Sequence, residues 1–193
     1  LMTRVMAGAW GGMATFAAAS DVLATASGQP TLDMLTRQYR FSQLGPDTRI
    51  FGLLGDPIGK SPGFVMHNAA FDATDFDGVY LPLPVAAGWE SLKATMATLL
   101  EDEGTHLGGV SITLPHKVDA IRLIKARRGT VSVTAAACHA VNTLTVDSSG
   151  AIAGDNTDGI GVIEPLISLG AVLGGGHAAV LGAGGAARAA VSA

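Results

Sequence analysis

The sequence predicts an α/β protein built on an open, mainly parallel sheet with helices on both faces. Three observations carry this. From residue 49 onward, short apolar runs of strand length alternate with segments whose apolar residues recur at helical spacing. Polar and ionisable residues cluster just after those runs, where ligands bind in open α/β sheets. Near residue 180 an apolar run enters a Gly-rich turn and then an Ala-rich stretch, the way a dinucleotide-binding βαβ unit begins.

Element by element, RVMAG (4–8) reads as a short buried strand, and MATFAAASDVLAT (13–25) as a helix. TLDMLTRQY (31–39) reads as a second helix with Thr31 as its N-cap. The turn-rich SQLGPDT (42–48) is a connector. RIFGLLG (49–55) is a buried strand, DPIGKSPG a loop, FVMHNAAFDA (64–73) a helix, and GVYLPLPV (78–85) a strand. WESLKATMATLLEDE (89–103) is an amphipathic helix. LGGVSITL (107–114) is a strand, and PHKVDAIRLIKA opens a helix with Pro115 in its first turn. Two short strands, 139–147 and 150–156, flank an SSG turn. Residues 157–170 are mostly helix, and HAAVLGAGG starts the next unit.

Composition narrows the function classes. The chain is 48% hydrophobic and 15% charged, so a sizeable core is available and disorder is not expected. Net charge is −4, and KARR (125–128) is the single basic cluster, read as a solvated helix end; nucleic acid is not an expected partner. No stretch of 18 apolar residues suggests a membrane span. The first twenty residues have some features of a secretory signal, but glycines break them and the sequence starts with Leu1. Cys138 is the single cysteine, which fits a reducing compartment and a small buried filler; the expected location is cytoplasmic. The five histidines lack metal-ligand spacing, so no metal is expected.

The residues after each strand are Asp56, Lys60 and Ser61; then Thr113 and Lys117; then Asn142; then Asp155, Asn156 and Asp158. Hydroxyl, amide, ammonium and carboxylate groups in one set suit a small polyhydroxylated acid. A Lys beside an Asp can exchange a proton at a carbonyl oxygen. Each residue also has a plain reading: Lys117 as a solvated helix-start lysine, Asp158 as an N-cap. In GAGGAA, Gly182, Gly184 and Ala187 stand at the G-x-G-x-x-G/A positions.

Taken together, GDPIGKSPGFVMHNAAF, GVSITLPHK, AVNTL, GDNTDGIG and VLGAGGAARA occur in the order of shikimate dehydrogenase, and residues 49–193 resemble that family. The resemblance implies NADPH-dependent reduction of 3-dehydroshikimate to shikimate, with NADP as cofactor. Residues 49–158 would be the substrate-binding domain, and 159–193 a linker helix and the first βα of a Rossmann domain. It further implies that Lys117 and Asp158 are the catalytic pair, Lys117 acting as acid/base at the C3 oxygen and Asp158 orienting it. Ser61 would bind the substrate carboxylate, Thr113 and Asn142 the ring hydroxyls, and Gly182, Ala183, Gly184, Gly185 and Ala186 the cofactor pyrophosphate. Three departures stand out. The family's S-x-S-P loop reads SPGF, so Gly63 replaces the second Ser and leaves room for a bulkier ring such as quinate. Ser111 replaces the usual Asn, and His139 the usual Gly before AVNT. A non-catalytic shikimate- or quinate-binding module is the alternative of a different class.

Residues 1–40 resemble the end of type I 3-dehydroquinate dehydratase, a (β/α)8 barrel, through TRVMAGAWGGMATF and TASGQP. Arg4 would bind that enzyme's substrate carboxylate. Thr25 and Gln29 match its Ser-…-Gln loop, with Ser27 in place of the loop's Pro. The junction YRFSQLGPDTRIFGLLGDP, with 41–48 as linker, is similar to that of fused dehydratase–dehydrogenase proteins. The expectation is a window on a longer bifunctional enzyme, with residues 1–193 inactive by themselves.

Overall fold

The computed structural model describes residues 1–26, 28–102, 104–172, 174–175 and 177–193. The chain opens with a short helix α1 (Met2–Val5), then runs through irregular turns with single helical turns at Asp21–Leu23, Met34–Gln38 and Phe41–Gln43. Then follow β1 (Arg49–Gly55), α2 (Gly63–Ala73), β2 (Gly78–Pro84), α3 (Trp89–Glu101) and β3 (Leu107–Ile112). The chain continues through α4 (Asp119–Ala126), β4 (Thr130–Val131), α5 (Val133–Cys138), β5 (Thr143–Val146), β6 (Ile152–Asp155), α6 (Asp158–Ser168) and α7 (Gly185–Ser192).

The six strands form one sheet in the order β2-β1-β3-β5-β6-β4. Pairs β1–β2, β1–β3 and β4–β6 are parallel, whereas β3–β5 and β5–β6 are antiparallel, so the sheet is mixed. The physical reason is the tight turn at 147–150: joining β5 to β6 in a few residues forces them antiparallel.

Alternation along the strands sorts the two faces. Ile50, Leu54, Val79, Leu81, Val110, Ile112 and Leu144 are buried against Leu92, Met96 and Leu99 of α3 and Ala120, Leu123 and Ile124 of α4. The opposite face carries Phe51, Leu53 and Tyr80, which pack on Ile58 and on Phe64 and Phe71 of α2. Helices thus lie on both faces, as expected.

Several local expectations change. Residues 4–8 do not form a strand: α1 covers their start, and turns follow up to Gly11 at φ 81°. A barrel strand needs paired neighbours, and none of the described strands pairs with this segment. Residues 13–25 form no helix beyond the turn at Asp21–Leu23; Ala18 instead bridges Thr31. The Thr31 hydroxyl accepts from the Met34 amide at 3.1 Å, a cap as expected, although the turn behind it is π-helical. Val5, Met6, Leu35 and Tyr39 bury their side chains in the same cluster as the sheet. Pro115 is not in the first turn of α4, which begins at Asp119; residues 114–118 form turns. Residues 177–181 run unpaired rather than as a strand. Ser27 lies outside the described residues.

Candidate active site

The fold gathers the polar residues at one end of the sheet. β1 and β3 run toward this end, β6 finishes there, and antiparallel β5 starts there, so Ser61, Thr113, Asn142 and Asp158 all follow or precede strands at the same edge. The loop ends are tied to one another through backbone. The Thr113 amide donates to Leu54 O at 2.9 Å, the Ile112 amide to Asn142 O at 2.6 Å, and the Val141 amide to Lys117 O at 2.7 Å. Gly55 is required at the β1 exit: its φ is 153°, and a Cβ there would lie 2.5 Å from Thr113 Cγ2.

The Lys117 Nζ donates to Asp158 Oδ2 at 2.6 Å, and the two side chains are only 17% and 21% exposed. The plain readings of both residues therefore fail. Lys117 is not a solvated surface lysine. Asp158 is the first residue of α6, yet its carboxylate accepts from side chains rather than capping the helix. Asn142 Nδ2 donates to Asp158 Oδ1 at 2.8 Å, so each carboxylate oxygen has its own donor. Asn156 fixes the Asp158 backbone: its Oδ1 accepts from the Asp158 amide at 2.9 Å, and its Nδ2 donates to Ala140 O at 2.9 Å. With its oxygens and backbone held, Asp158 presents a fixed negative charge to the ammonium. That geometry lets Lys117 deliver a proton to, or recover one from, an oxygen placed beside it.

Sequence reasoning missed two contributors. Thr157 lies within GDNTDG, where it reads only as a helix start, but its hydroxyl accepts from Asn142 Nδ2 at 3.0 Å and its amide donates to Asn142 Oδ1 at 3.1 Å. His116 is fully buried; its Nε2 contacts Val85 O at 3.0 Å and so ties the LPHK turn to the end of β2. No spacing signal marks either residue. Asp155, on the other hand, is taken up by Ser132 at the start of α5, and Asp56 and Lys60 are exposed.

Near the β1 exit, Ser61 Oγ accepts from the Gly63 amide at 3.2 Å. A Cβ on Gly63 would stand 3.1 Å from Ser61 Oγ and 3.8 Å from both His67 Cδ2 and Tyr80 Cε1. His67 stacks on Tyr80 with ring centroids 4.2 Å apart. Burial lowers the His67 pKa and raises that of the Tyr80 phenol, the latter opposed by a hydrogen bond with Ser111. His139, where the family has Gly, sits at φ 50° at the end of α5; a left-handed position explains why glycine is usual there.

A cleft of about 420 Å³ is lined by Thr113, Leu114, Pro115 and Lys117 and by Gly182, Gly184, Gly185 and Ala186, so Lys117 and the Gly-rich turn border the same space. A larger cleft of about 820 Å³ opens at the other end of the strands, near Arg49, His106 and Asp147. Three of its charged groups are engaged within the chain: Arg49 donates to Val146 O, Asp102 accepts from Thr105, and Asp147 accepts from Ser149 and Ala151. In the Gly-rich turn, Gly182 adopts φ 120°, and nothing lies within 4 Å of where a Cβ on Gly182 or Gly184 would stand. The open backbone fits the close approach of a phosphate. Thr25 and Gln29 are also brought together: Gln29 Oε1 accepts from the Thr25 amide at 2.8 Å and from its hydroxyl at 3.1 Å. Arg4 lies on α1, its carbonyl accepting from Thr15 Oγ1 at 2.9 Å. Cys138 is buried, as expected of a filler, and the KARR residues are exposed at the end of α4. Among the described residues no helix is long and apolar enough to cross a membrane, and no group of three or more His, Cys, Asp or Glu could hold a metal.

Comparison with known proteins agrees with this geometry. Residues 53–144 match the model of the shikimate dehydrogenase substrate binding domain. The chain is 43% identical over 146 residues to shikimate dehydrogenase (NADP(+)) of Citrifermentans bemidjiense, covering 75% of this chain and 47% of that protein. It is 35% identical over 167 residues to the chloroplastic bifunctional 3-dehydroquinate dehydratase/shikimate dehydrogenase of Arabidopsis thaliana, covering 86% of this chain and 26% of that protein. The crystal structure of shikimate 5-dehydrogenase from Listeria monocytogenes, in complex with shikimate and NAD, superposes with a TM-score of 0.64 at 31% identity, over 77% of this chain and 48% of that one. The chain thus spans about half the length of the single-function relative and about a quarter of the bifunctional one. By sequence and by fold, residues 53–144 are similar to the substrate-binding domain of shikimate dehydrogenases.

Proposed function

We propose that the protein carrying this chain reduces 3-dehydroshikimate reversibly to shikimate with NADPH. The observation that carries the reading is the Lys117–Asp158 pair, held by Asn142, with Lys117 bordering the same cleft as the Gly-rich turn. A bound nicotinamide supplies the hydride. The chain's own residues do the rest. Ser61 receives the substrate carboxylate, Thr113 and Asn142 the ring hydroxyls. Lys117 donates the proton to the C3 oxygen as the carbonyl is reduced, and takes it back in the reverse direction. Asp158 keeps the ammonium aimed and shares the C3 hydroxyl. Gly182 to Ala186 hold the pyrophosphate against open backbone amides at the start of α7. In this reading residues 49–158 are the substrate-binding domain and 159–193 begin the cofactor domain. The test is NADP+-linked oxidation of shikimate by the full-length protein against Lys117→Ala. A wild type that binds shikimate without turnover makes it a binding module instead.

The parent protein also dehydrates 3-dehydroquinate in this reading, with Arg4, Thr25 and Gln29 at the end of the dehydratase and 41–48 as linker. Residues 49–193 are only three quarters of the chain, so a match over 86% of it reaches into the first 48 residues, which supports a fused arrangement. Dehydration of 3-dehydroquinate by the full-length protein, followed by product chromatography, is the test; no such activity removes this half of the proposal.

Quinate is the second reading for the dehydrogenase substrate, favoured by the absence at Gly63, beside Ser61, His67 and Tyr80, of the second Ser hydroxyl. The Gly63→Ser variant then shifts the kcat/KM ratio toward shikimate. An unchanged ratio takes Gly63 out of the argument.

A further inference from the structure

The glycines of GAGGAA differ in what surrounds them. Gly182 and Gly184 face open space. Gly185, the first residue of α7, does not: a Cβ there would stand 3.0 Å from Lys117 Cβ, 3.2 Å from Lys117 Cδ and 3.3 Å from Ala140 Cβ. The stem of the lysine lies directly across the helix start. Lys117 has little freedom to withdraw, because its carbonyl accepts from the Val141 amide at 2.7 Å and its ammonium is held by Asp158 at 2.6 Å.

We infer that Gly185 is a positioning residue for Lys117: its missing side chain is what admits the lysine stem and lets the ammonium reach Asp158. The inference rests on the dehydrogenase reading above and extends it. One turn then has two separate duties. Gly182 and Gly184 keep the backbone open toward a cofactor phosphate, while Gly185 couples that turn to the proton-transferring group. Gly185 sits in a helix with ordinary helical backbone, where alanine is intrinsically favoured over glycine. A loss on adding one methyl therefore comes from collision with Lys117 or Ala140 and not from the backbone, and the Lys117 acylation rate separates the two.

The experiment compares Gly185→Ala, Gly185→Val and Gly184→Ala in the full-length protein. Two readouts are taken: kcat, shikimate KM and NADP+ Kd; and, without cofactor, the acylation rate of Lys117 by an amine reagent, followed by peptide mass spectrometry. Displacing a catalytic group by a fraction of an ångström to 1 Å costs up to about 100-fold in rate. Gly185→Ala is expected to lower kcat roughly three- to tenfold, with shikimate KM within about twofold and any loss of NADP+ affinity smaller than the loss of kcat, and Gly185→Val to lower kcat further. Lys117 acylation rises in the same order. Gly184→Ala weakens NADP+ binding and leaves acylation unchanged. Gly185→Ala with wild-type kcat and wild-type acylation overturns the inference, as does a loss confined to NADP+ affinity. A wild-type protein without turnover defeats the dehydrogenase reading, and the acylation series still decides whether Gly185 sets the lysine.

Discussion

The two walls of the 420 Å³ cleft are held by different means. On one side, Lys117 lines the cleft and is linked through Asp158 to Asn142 by hydrogen bonds of 2.6–2.8 Å; the three stand in turns and at a helix start, next to the ends of β3, β5 and β6. On the other, the Gly-rich turn follows residues 177–181, which no described strand pairs, and Leu181 is 98% exposed. A proton-transferring pair needs its members fixed to a fraction of an ångström. A phosphate needs open amides and a helix start. The corner proposed for acid/base chemistry is therefore held by side-chain hydrogen bonds at the strand ends, whereas the turn offers open backbone at Gly182 and Gly184 and packs only at Gly185.

Substitutions on each wall break this contrast in distinct ways. The largest effect is expected for Lys117→Ala, which removes general acid–base catalysis and lowers kcat by about 10²- to 10⁴-fold. NADP+ binding, measured by fluorescence titration, stays near wild type; a comparable fall in NADP+ affinity shows that the walls are not separable. Stability comes next. Leu144→Ala empties a fully buried site behind the corner and costs about 2–5 kcal/mol in urea unfolding. Leu181→Ala beside the turn changes stability by no more than about 0.5 kcal/mol. Equal losses from the two indicate that residues 177–181 are packed as firmly as β5.

Asn142→Ala removes the second donor to Asp158, a hydrogen bond to a charged group worth about 1.5–3 kcal/mol. It is expected to reduce kcat roughly 10- to 100-fold while Lys117 stays acylation-resistant. Loss of that resistance assigns Asn142 to holding the ion pair itself. On the opposite wall, Gly182→Ala forces a side chain onto φ 120° at a cost of about 1–3 kcal/mol, read as weaker NADP+ binding at nearly unchanged melting temperature.

The smallest effect belongs to pH. Burial lowers the His67 pKa below 6.5, so as pH falls through 6.5 the unfolded chain takes up this proton before the native one does. The stability contributed by neutral His67 is present above that pH and is lost below it. The His67→Leu variant should show a flatter acid limb in urea titrations between pH 7 and 5; an unchanged limb removes His67 as a source of acid sensitivity.

How far each part was legible follows from how local its physics is. Most buried strands and amphipathic helices between residues 49 and 168 announce themselves by apolar spacing and form close to where it puts them, whereas the apolar run at 177–181 finds no partner among the described strands and the helix expected from Pro115 starts only at Asp119. LPHK and GDNTDG are short enough that residue type and order alone pick out Lys117 and Asp158. Residues 4–25 were misleading. Apolar runs there match a strand and a helix, but a strand forms only against a partner, and this segment instead sinks Val5 and Met6 into the core of the sheet. Thr157 and His116 were invisible for a related reason: their roles are hydrogen bonds to residues 15 and 31 positions away.

The sequence by itself determined the α/β class, the apolar faces of strands and helices, and the polar set at the strand ends, because periodicity and turn chemistry act over a few residues. Only the tertiary structure decided that Lys117 and Asp158, 41 residues apart, meet at 2.6 Å. It also made the sheet mixed, through the β5–β6 hairpin, and set Gly185 against the lysine stem. Those outcomes depend on which strands lie side by side, and no local pattern encodes that choice.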